Sequence, residues 1–150
     1  MNQERTGRSE HMRKTVLIID AQGGGLGKQL IGRLRKEGIN AELIAVGTNS
    51  TAASAMLKAG ADKAATGENA AVVCARRADY IIGPAGIVIA DSMLGEITPA
   101  IAAAIGQSSA VRILIPFNNC DNYIAGTEGI PVGELISDAA SYLIRLCREG

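Results

Sequence analysis

The residues best suited to chemistry are four glycines within five positions, which follow an apolar, β-branched run at residues 15–20. A helical pattern opens directly after them. Glycine lets backbone amides approach a ligand closely, and the N-terminus of a helix attracts an anion. The segment therefore predicts a site for a phosphate-bearing ligand. The predicted contact residues are Gln22, Gly23, Gly24, Gly25, Leu26, Gly27 and Lys28.

The spacing of this turn departs from the P-loop pattern G-x-x-x-x-G-K-[ST]. Gly27 and Lys28 fit that pattern, but Gln22 stands where its first glycine belongs and Gln29 where its hydroxyl belongs. Since that hydroxyl normally binds magnesium, hydrolysis of a nucleoside triphosphate is disfavoured. A P-loop-like phosphohydrolase is kept as one alternative.

The strict dinucleotide pattern G-x-G-x-x-G also fails in every frame. A relaxed spacing, G-x-x-G-x-x-G followed by a basic residue, fits if Ala21 replaces the first glycine. This form resembles the cofactor turn of dihydrodipicolinate-reductase-like NAD(P)-binding domains. The resemblance implies NAD or NADP as the cofactor, with a second turn beside the nicotinamide. Its residues would be Gly83, Pro84, Ala85 and Gly86.

The end of the second predicted strand does not distinguish NAD from NADP. Thr48, Asn49 and Ser50 stand there, with no acidic residue for a ribose diol and no arginine for a 2′-phosphate. Their neutral side chains could hydrogen-bond either group. A simpler interpretation of the glycines is tight packing of strand against helix without a ligand. Under the binding hypothesis, replacing Gly24 by a β-branched residue should abolish binding and preserve the fold.

Other polar residues after predicted strands are weaker candidates, because caps and turns explain them equally well. Second-rank ligand contacts are Thr66, Glu68, Asn69, Asn118 and Asn119. Three residues could supply an acid, a base or a nucleophile, although none has an identifiable partner. These are Asp91, Ser92 and Glu96.

Apolar periodicity predicts the elements that would position these residues. Strands are expected near 15–20, 42–46, 61–65, 79–82 and 111–116. Helices are expected before Gly38, before Gly60, over 66–77 and 99–105, and after Pro131. The apolar run 87–94 fits a strand or a buried helix, and the helix is favoured. This alternation predicts a Rossmann-like three-layer α/β domain, residues 12–150, with a mostly parallel sheet of about five strands.

The composition excludes several classes of function. Fifteen basic and fifteen acidic residues cancel, which gives no general attraction for nucleic acid or an anionic membrane. No apolar run reaches the roughly 18 residues that span a bilayer. The three cysteines, Cys74, Cys120 and Cys147, are too widely spaced for a zinc site and fit reduced thiols of a cytoplasmic protein.

Residues 1–11 lack apolar periodicity and precede a His-Met dipeptide typical of a cloning junction. We expect a disordered leader or an expression scar there. His11 is the single histidine of the chain, so neither histidine catalysis nor a histidine-bound metal is expected, and no metal site is predicted.

Several stretches together resemble an uncharacterised family of short bacterial glycine-rich proteins, known as a domain of unknown function. The resemblance extends over nearly all of residues 13–145, although Ala21 stands where family members often have glycine. It rests on residues 22–28, 47–50, 55–62, 66–70 and 92–99. The family brings no established activity, so it supports the fold and the position of the site.

The leading hypothesis is a protein that binds a nucleotide or dinucleotide, such as a sensor or a subunit, and that forms a homo-oligomer. Whether it is an enzyme stays open. One alternative is a small NAD(P)-dependent reductase or transferase with a site completed across a dimer. The others are the phosphohydrolase and an interaction scaffold that binds no ligand.

Overall fold

The computed structural model describes residues 13–117 and 122–150. Its five strands form one parallel sheet in the order β3-β2-β1-β4-β5. The strands are β1 (Thr15–Asp20), β2 (Glu42–Gly47), β3 (Lys63–Thr66), β4 (Tyr80–Pro84) and β5 (Val111–Ile115). The α-helices are α1 (Gly25–Lys36), α2 (Ser50–Ala59), α3 (Glu68–Arg77), α4 (Pro99–Gln107) and α5 (Val132–Glu149). A 3₁₀ helix spans Ala85–Val88.

Helices cover both faces of the sheet. Val16 and Ile18 of β1 pack into a core shared with α1, α2 and α5, whereas Leu17 and Ile19 pack into a second core with α3 and α4. All four side chains are fully buried, which explains why this central strand reads as a continuous apolar run. The predicted Rossmann-like three-layer α/β fold is confirmed.

The strand register aligns the carboxyl ends of the central strands. Asp20 pairs with Gly47 of β2, and Ile18 pairs with Ile82 of β4. From β1 the chain builds the sheet outwards to β3, then returns to the other side of β1 with β4. In open α/β sheets this reversal leaves a crevice at the carboxyl ends, where ligands bind.

The predicted helix over residues 87–94 was wrong. The chain forms the 3₁₀ turn and then a series of turns through residue 96. Asp91, Met93 and Leu94 have φ angles of 64°, 56° and 57°, in the left-handed region that a right-handed helix excludes. Ile97 is fully buried and anchors this segment against the second core. We call residues 89–98 the crossing loop.

Some predictions concern residues outside the described ranges. They are those for residues 1–11, including His11, and for Asn118, Asn119 and Cys120. Within the described ranges, no helix is long and apolar enough to cross a membrane.

Candidate functional site

The glycine turn follows β1 at the centre of the sheet edge. Gln22 and Gly24 adopt left-handed φ angles of 52° and 73°, and the Gly24 amide donates to the Ala21 carbonyl at 3.0 Å. Gly24 is the N-cap of α1, which begins at Gly25. The turn therefore directs the N-terminal end of α1 towards the crevice between β1 and β4.

Asp20, the last residue of β1, holds this turn together and was not among the predicted site residues. Its side chain is buried, with 5% of the residue exposed. Oδ1 accepts a hydrogen bond from the Ala21 amide and Oδ2 one from the Gly27 amide, both at 2.8 Å. Burial raises the pKa of this carboxyl, the two amides oppose the rise, and the charge of Glu96 adds to it. The signal available in the sequence was a charged residue at the end of an otherwise apolar run.

Three backbone amides of the turn are left without an acceptor among the residues that the structure describes. They belong to Gly23, Gly25 and Leu26. The first amides of a helix have no partner inside the helix and carry the positive end of its dipole. Free amides at this position form a favourable environment for an oxyanion such as a phosphate.

A pocket of about 240 Å³ lies against the turn, at the reversal point of the sheet. Its walls come from the glycine turn, the end of β4, the crossing loop and the start of α5. The lining residues are Asp20, Ala21, Gln22, Gly23, Gly24, Gly25, Leu26, Gln29, Pro84, Met93, Phe117 and Val132. It is smaller than the 300–1,000 Å³ typical of ligand pockets, so a larger ligand would extend beyond it along the sheet edge.

The glycines of the turn divide into two groups. A Cβ on Gly24 would lie 2.8 Å from the Ala52 Cα, and one on Gly27 would lie 2.5 Å from the Met56 sulfur. A Cβ on Gly23 or Gly25 would meet no atom within 4 Å. Packing therefore explains the first pair and not the second. The expectation that the fold tolerates replacement of Gly24 was wrong, because α2 fills that space.

Glu96 reaches from the crossing loop to the ends of β1 and β2. Its Oε1 accepts hydrogen bonds from the Gln22 amide at 3.0 Å, the Thr48 hydroxyl at 2.7 Å and the Asn49 side-chain amide at 2.8 Å. Asn49 also donates to the Gln22 carbonyl at 2.9 Å and accepts from the Ala52 amide at 2.9 Å. Asn49 is thereby the N-cap of α2. The Glu96 carboxylate thus connects the crossing loop to the glycine turn and to the turn after β2.

This network determines the charge of Glu96. Burial alone would raise its pKa, but the hydrogen bonds from Thr48, Gln22 and Asn49 outweigh burial and hold the pKa below its ordinary value of 4.5. The carboxylate is therefore ionised at neutral pH.

Acidification should weaken the contribution of Glu96 to stability. A pKa lowered by folding stabilises the fold fully above the ordinary value of 4.5, and this contribution is lost as the pH falls through the folded-state pKa. We expect the wild type to be more stable than Glu96→Gln at neutral pH, and the two to converge below 4.5. Urea-unfolding midpoints across a pH series measure this difference. A difference that is independent of pH would contradict the prediction.

The other predicted site residues lie apart from the pocket lining or fill structural positions. Lys28 and Ser50 line a separate open groove between α1 and α2. Gly83 lies in β4 against the Ile19 carbonyl, and the Ser92 hydroxyl donates to the Gly86 carbonyl.

Ala85 is buried in the 3₁₀ helix, and four polar residues are exposed. These are Thr66 at the end of β3, Glu68 and Asn69 at the start of α3, and Asp91 in the crossing loop.

No group of three or more histidine, cysteine, aspartate or glutamate side chains within the described ranges could hold a metal ion. The described cysteines, Cys74 and Cys147, are half-buried free thiols, and burial raises the pKa of each.

The sheet order and the glycine turn define a Rossmann-like α/β protein with a candidate anion site at its reversal point. Residues 15–148 match the model of a family described as "Domain of unknown function (DUF3842)". The chain belongs to this family.

The comparison with solved structures includes a tryptophan-to-tyrosine mutant of FtsZ from M. jannaschii, with 16% sequence identity and a TM-score of 0.41. The similarity covers 97% of this chain, which spans only 58% of that FtsZ chain. A comparison with curated proteins gave no match.

Proposed function

We propose that this protein binds a nucleotide or dinucleotide, with NAD or NADP as the leading candidates, through a phosphate held by the glycine turn. In this function it would act as a sensor or a subunit. The supporting observation is the set of free amides on Gly23, Gly25 and Leu26 at the N-terminal end of α1.

Two further features support a ligand at this place. The amides lie at the reversal point of a parallel sheet, beside a pocket, which is the usual position of a ligand in such sheets. Gly23 and Gly25 have no packing partner that requires glycine, so close approach of a ligand gives a reason for their missing side chains.

Thermal unfolding with candidate ligands tests the proposal. The ligands are NAD, NADP, ATP, GTP and coenzyme A, each with and without magnesium. A ligand at 100 times its dissociation constant should add about 2.7 kcal/mol of stability. No shift with any of them would contradict nucleotide binding and favour a scaffold. A shift that requires both ATP and magnesium would favour a phosphohydrolase instead.

Replacing Gly25 by alanine should weaken binding without unfolding the protein. The new methyl group would meet no protein atom within 4 Å, but it would crowd a phosphate on the adjacent amides. Crowding of this kind costs on the order of 1–3 kcal/mol, so we expect a loss of affinity of about 5- to 150-fold for the ligand that shifts the wild type. Titration calorimetry measures the affinity, and thermal unfolding verifies the fold.

The matched control is Gly32→Ala, which makes the same change in α1, where there is also open space. Its affinity should equal that of the wild type. Equal affinities for Gly25→Ala and Gly32→Ala would show that the Gly25 position does not contact the ligand.

A further inference from the structure

The structure brings an acidic group to the end of β2, where the local sequence has none. The turn after β2 contains only neutral polar residues, Thr48 to Ser50. Glu96 comes from the crossing loop, 48 residues along the chain from Thr48, and accepts the Thr48 hydroxyl at 2.7 Å. In dinucleotide-binding sheets, a carboxylate near the end of the second strand accepts hydrogen bonds from the ribose hydroxyls.

We infer that Glu96 recognises the ribose of the bound nucleotide and selects a ligand whose 2′-hydroxyl is not phosphorylated. This inference rests on the proposed function. It assigns Glu96 a binding role in ligand selection, and it favours NAD over NADP.

The geometry of the carboxylate leaves one oxygen for this contact. Oε1 already accepts three hydrogen bonds, from Gln22, Thr48 and Asn49. Within residues 13–117 and 122–150, Oε2 accepts none. A carboxylate oxygen accepts hydrogen bonds and cannot donate them when ionised, so a ribose hydroxyl is a suitable partner.

Glu96 lies next to the glycine turn, where the phosphate is proposed to bind. Its Oε1 lies 3.0 Å from the amide of Gln22, the residue directly before the free amide of Gly23. A ribose attached to a phosphate on the glycine turn could therefore reach Glu96 at the end of β2. The hydrogen bonds of Asn49 to Gln22 and Ala52 hold this side of the turn in place.

The charge of Glu96 provides the selectivity. No lysine, arginine or histidine within the described residues forms an ion pair with it. Its pKa is held below the ordinary value, so the charge is present at neutral pH. A 2′-phosphate would meet this negative charge, whereas a 2′-hydroxyl would donate to it.

Titration calorimetry with NAD and NADP, which differ only in the 2′-phosphate, tests the inference on the wild type and Glu96→Gln. We expect the wild type to bind NAD at least tenfold more tightly than NADP. A hydrogen bond to a charged group contributes enough for Glu96→Gln to bind NAD about tenfold more weakly. The same variant should bind NADP at least as tightly as the wild type does, because the repulsion is gone.

Opposite changes in the affinities for NAD and NADP would distinguish ligand selection from a structural role of Glu96. A distorted turn would lower the affinity for both ligands. Glu149→Gln, an exposed change at the end of α5, should leave the ratio of the two affinities unaltered. A ratio that is the same in the wild type and Glu96→Gln would overturn the inference and leave the proposed function in place. Failure of both ligands to bind the wild type would overturn the inference as well, and the ATP, GTP and coenzyme A titrations then decide the proposed function separately.

Discussion

Gly83→Ala should destabilise the protein strongly, although it adds only one methyl group. A Cβ at Gly83 would lie 2.4 Å from the Ile19 carbonyl oxygen. That oxygen belongs to the backbone of the central strand, which pairs with β2 and β4 and packs against both cores. Since neither strand can move without breaking the sheet, we expect a loss of about 3 kcal/mol or more in the free energy of unfolding. Urea unfolding measures it.

The matched control is again Gly32→Ala, an identical change in a helix with no atom within 4 Å of the new Cβ. It should stabilise the protein by roughly 0.5–1 kcal/mol, because alanine favours a helix over glycine. The two substitutions should therefore change the free energy of unfolding in opposite directions. A Gly83→Ala protein as stable as the wild type would show that β1 and β4 are less closely packed than the structure indicates.

Local patterns were sufficient to predict most of the fold. The buried run of β1, the apolar stripe of α5 and the glycine at the end of α1 are all features of short segments, and each led to an element of the correct type. The helix prediction for residues 87–94 failed because a continuous apolar run has no period that distinguishes a helix from other structures. The left-handed residues of this segment, Asp91, Met93 and Leu94, are not the glycines that normally signal such a conformation.

The candidate site was harder to predict, because its key contacts join distant segments. The glycine turn itself was visible in the sequence. Glu96 contacts Gln22, Thr48 and Asn49, which are 74, 48 and 47 residues away along the chain. No spacing rule relates such positions in a single sequence, so Glu96 could be identified only as a polar residue without a partner.

For the same reason, the glycines that packing requires could not be distinguished beforehand from those proposed to contact a ligand. All four turn glycines look alike in the sequence, yet α2 lies against Gly24 and Gly27 and leaves Gly23 and Gly25 open. The distinction depends on where Ala52 and Met56 pack, which is a property of the tertiary structure. Only the tertiary structure therefore shows that packing requires glycine at positions 24 and 27 and not at positions 23 and 25.

Asp20→Asn should destabilise the glycine turn by about 2–3 kcal/mol, although the two side chains have nearly the same size. Both carboxylate oxygens accept backbone amides at 2.8 Å, from Ala21 and Gly27. Asparagine offers one acceptor, and its NH₂ group would face the other amide, which would lose its partner in a buried place. Urea unfolding measures the loss, and amide hydrogen exchange at Ala21 and Gly27 should show that one of these two amides loses its protection.

Desolvation of Asp20 opposes this effect, because burial raises its pKa and removing its charge would relieve that cost. Replacing both partners of a buried polar contact can be nearly neutral, but replacing one leaves the full penalty of the orphaned donor. Asp20→Asn replaces one partner, so the penalty should dominate. Asp138→Asn, the same change at an exposed position of α5, should alter stability by less than about 0.5 kcal/mol. If the two variants proved equally stable, the carboxylate of Asp20 would not be what holds the glycine turn in the conformation seen in the structure.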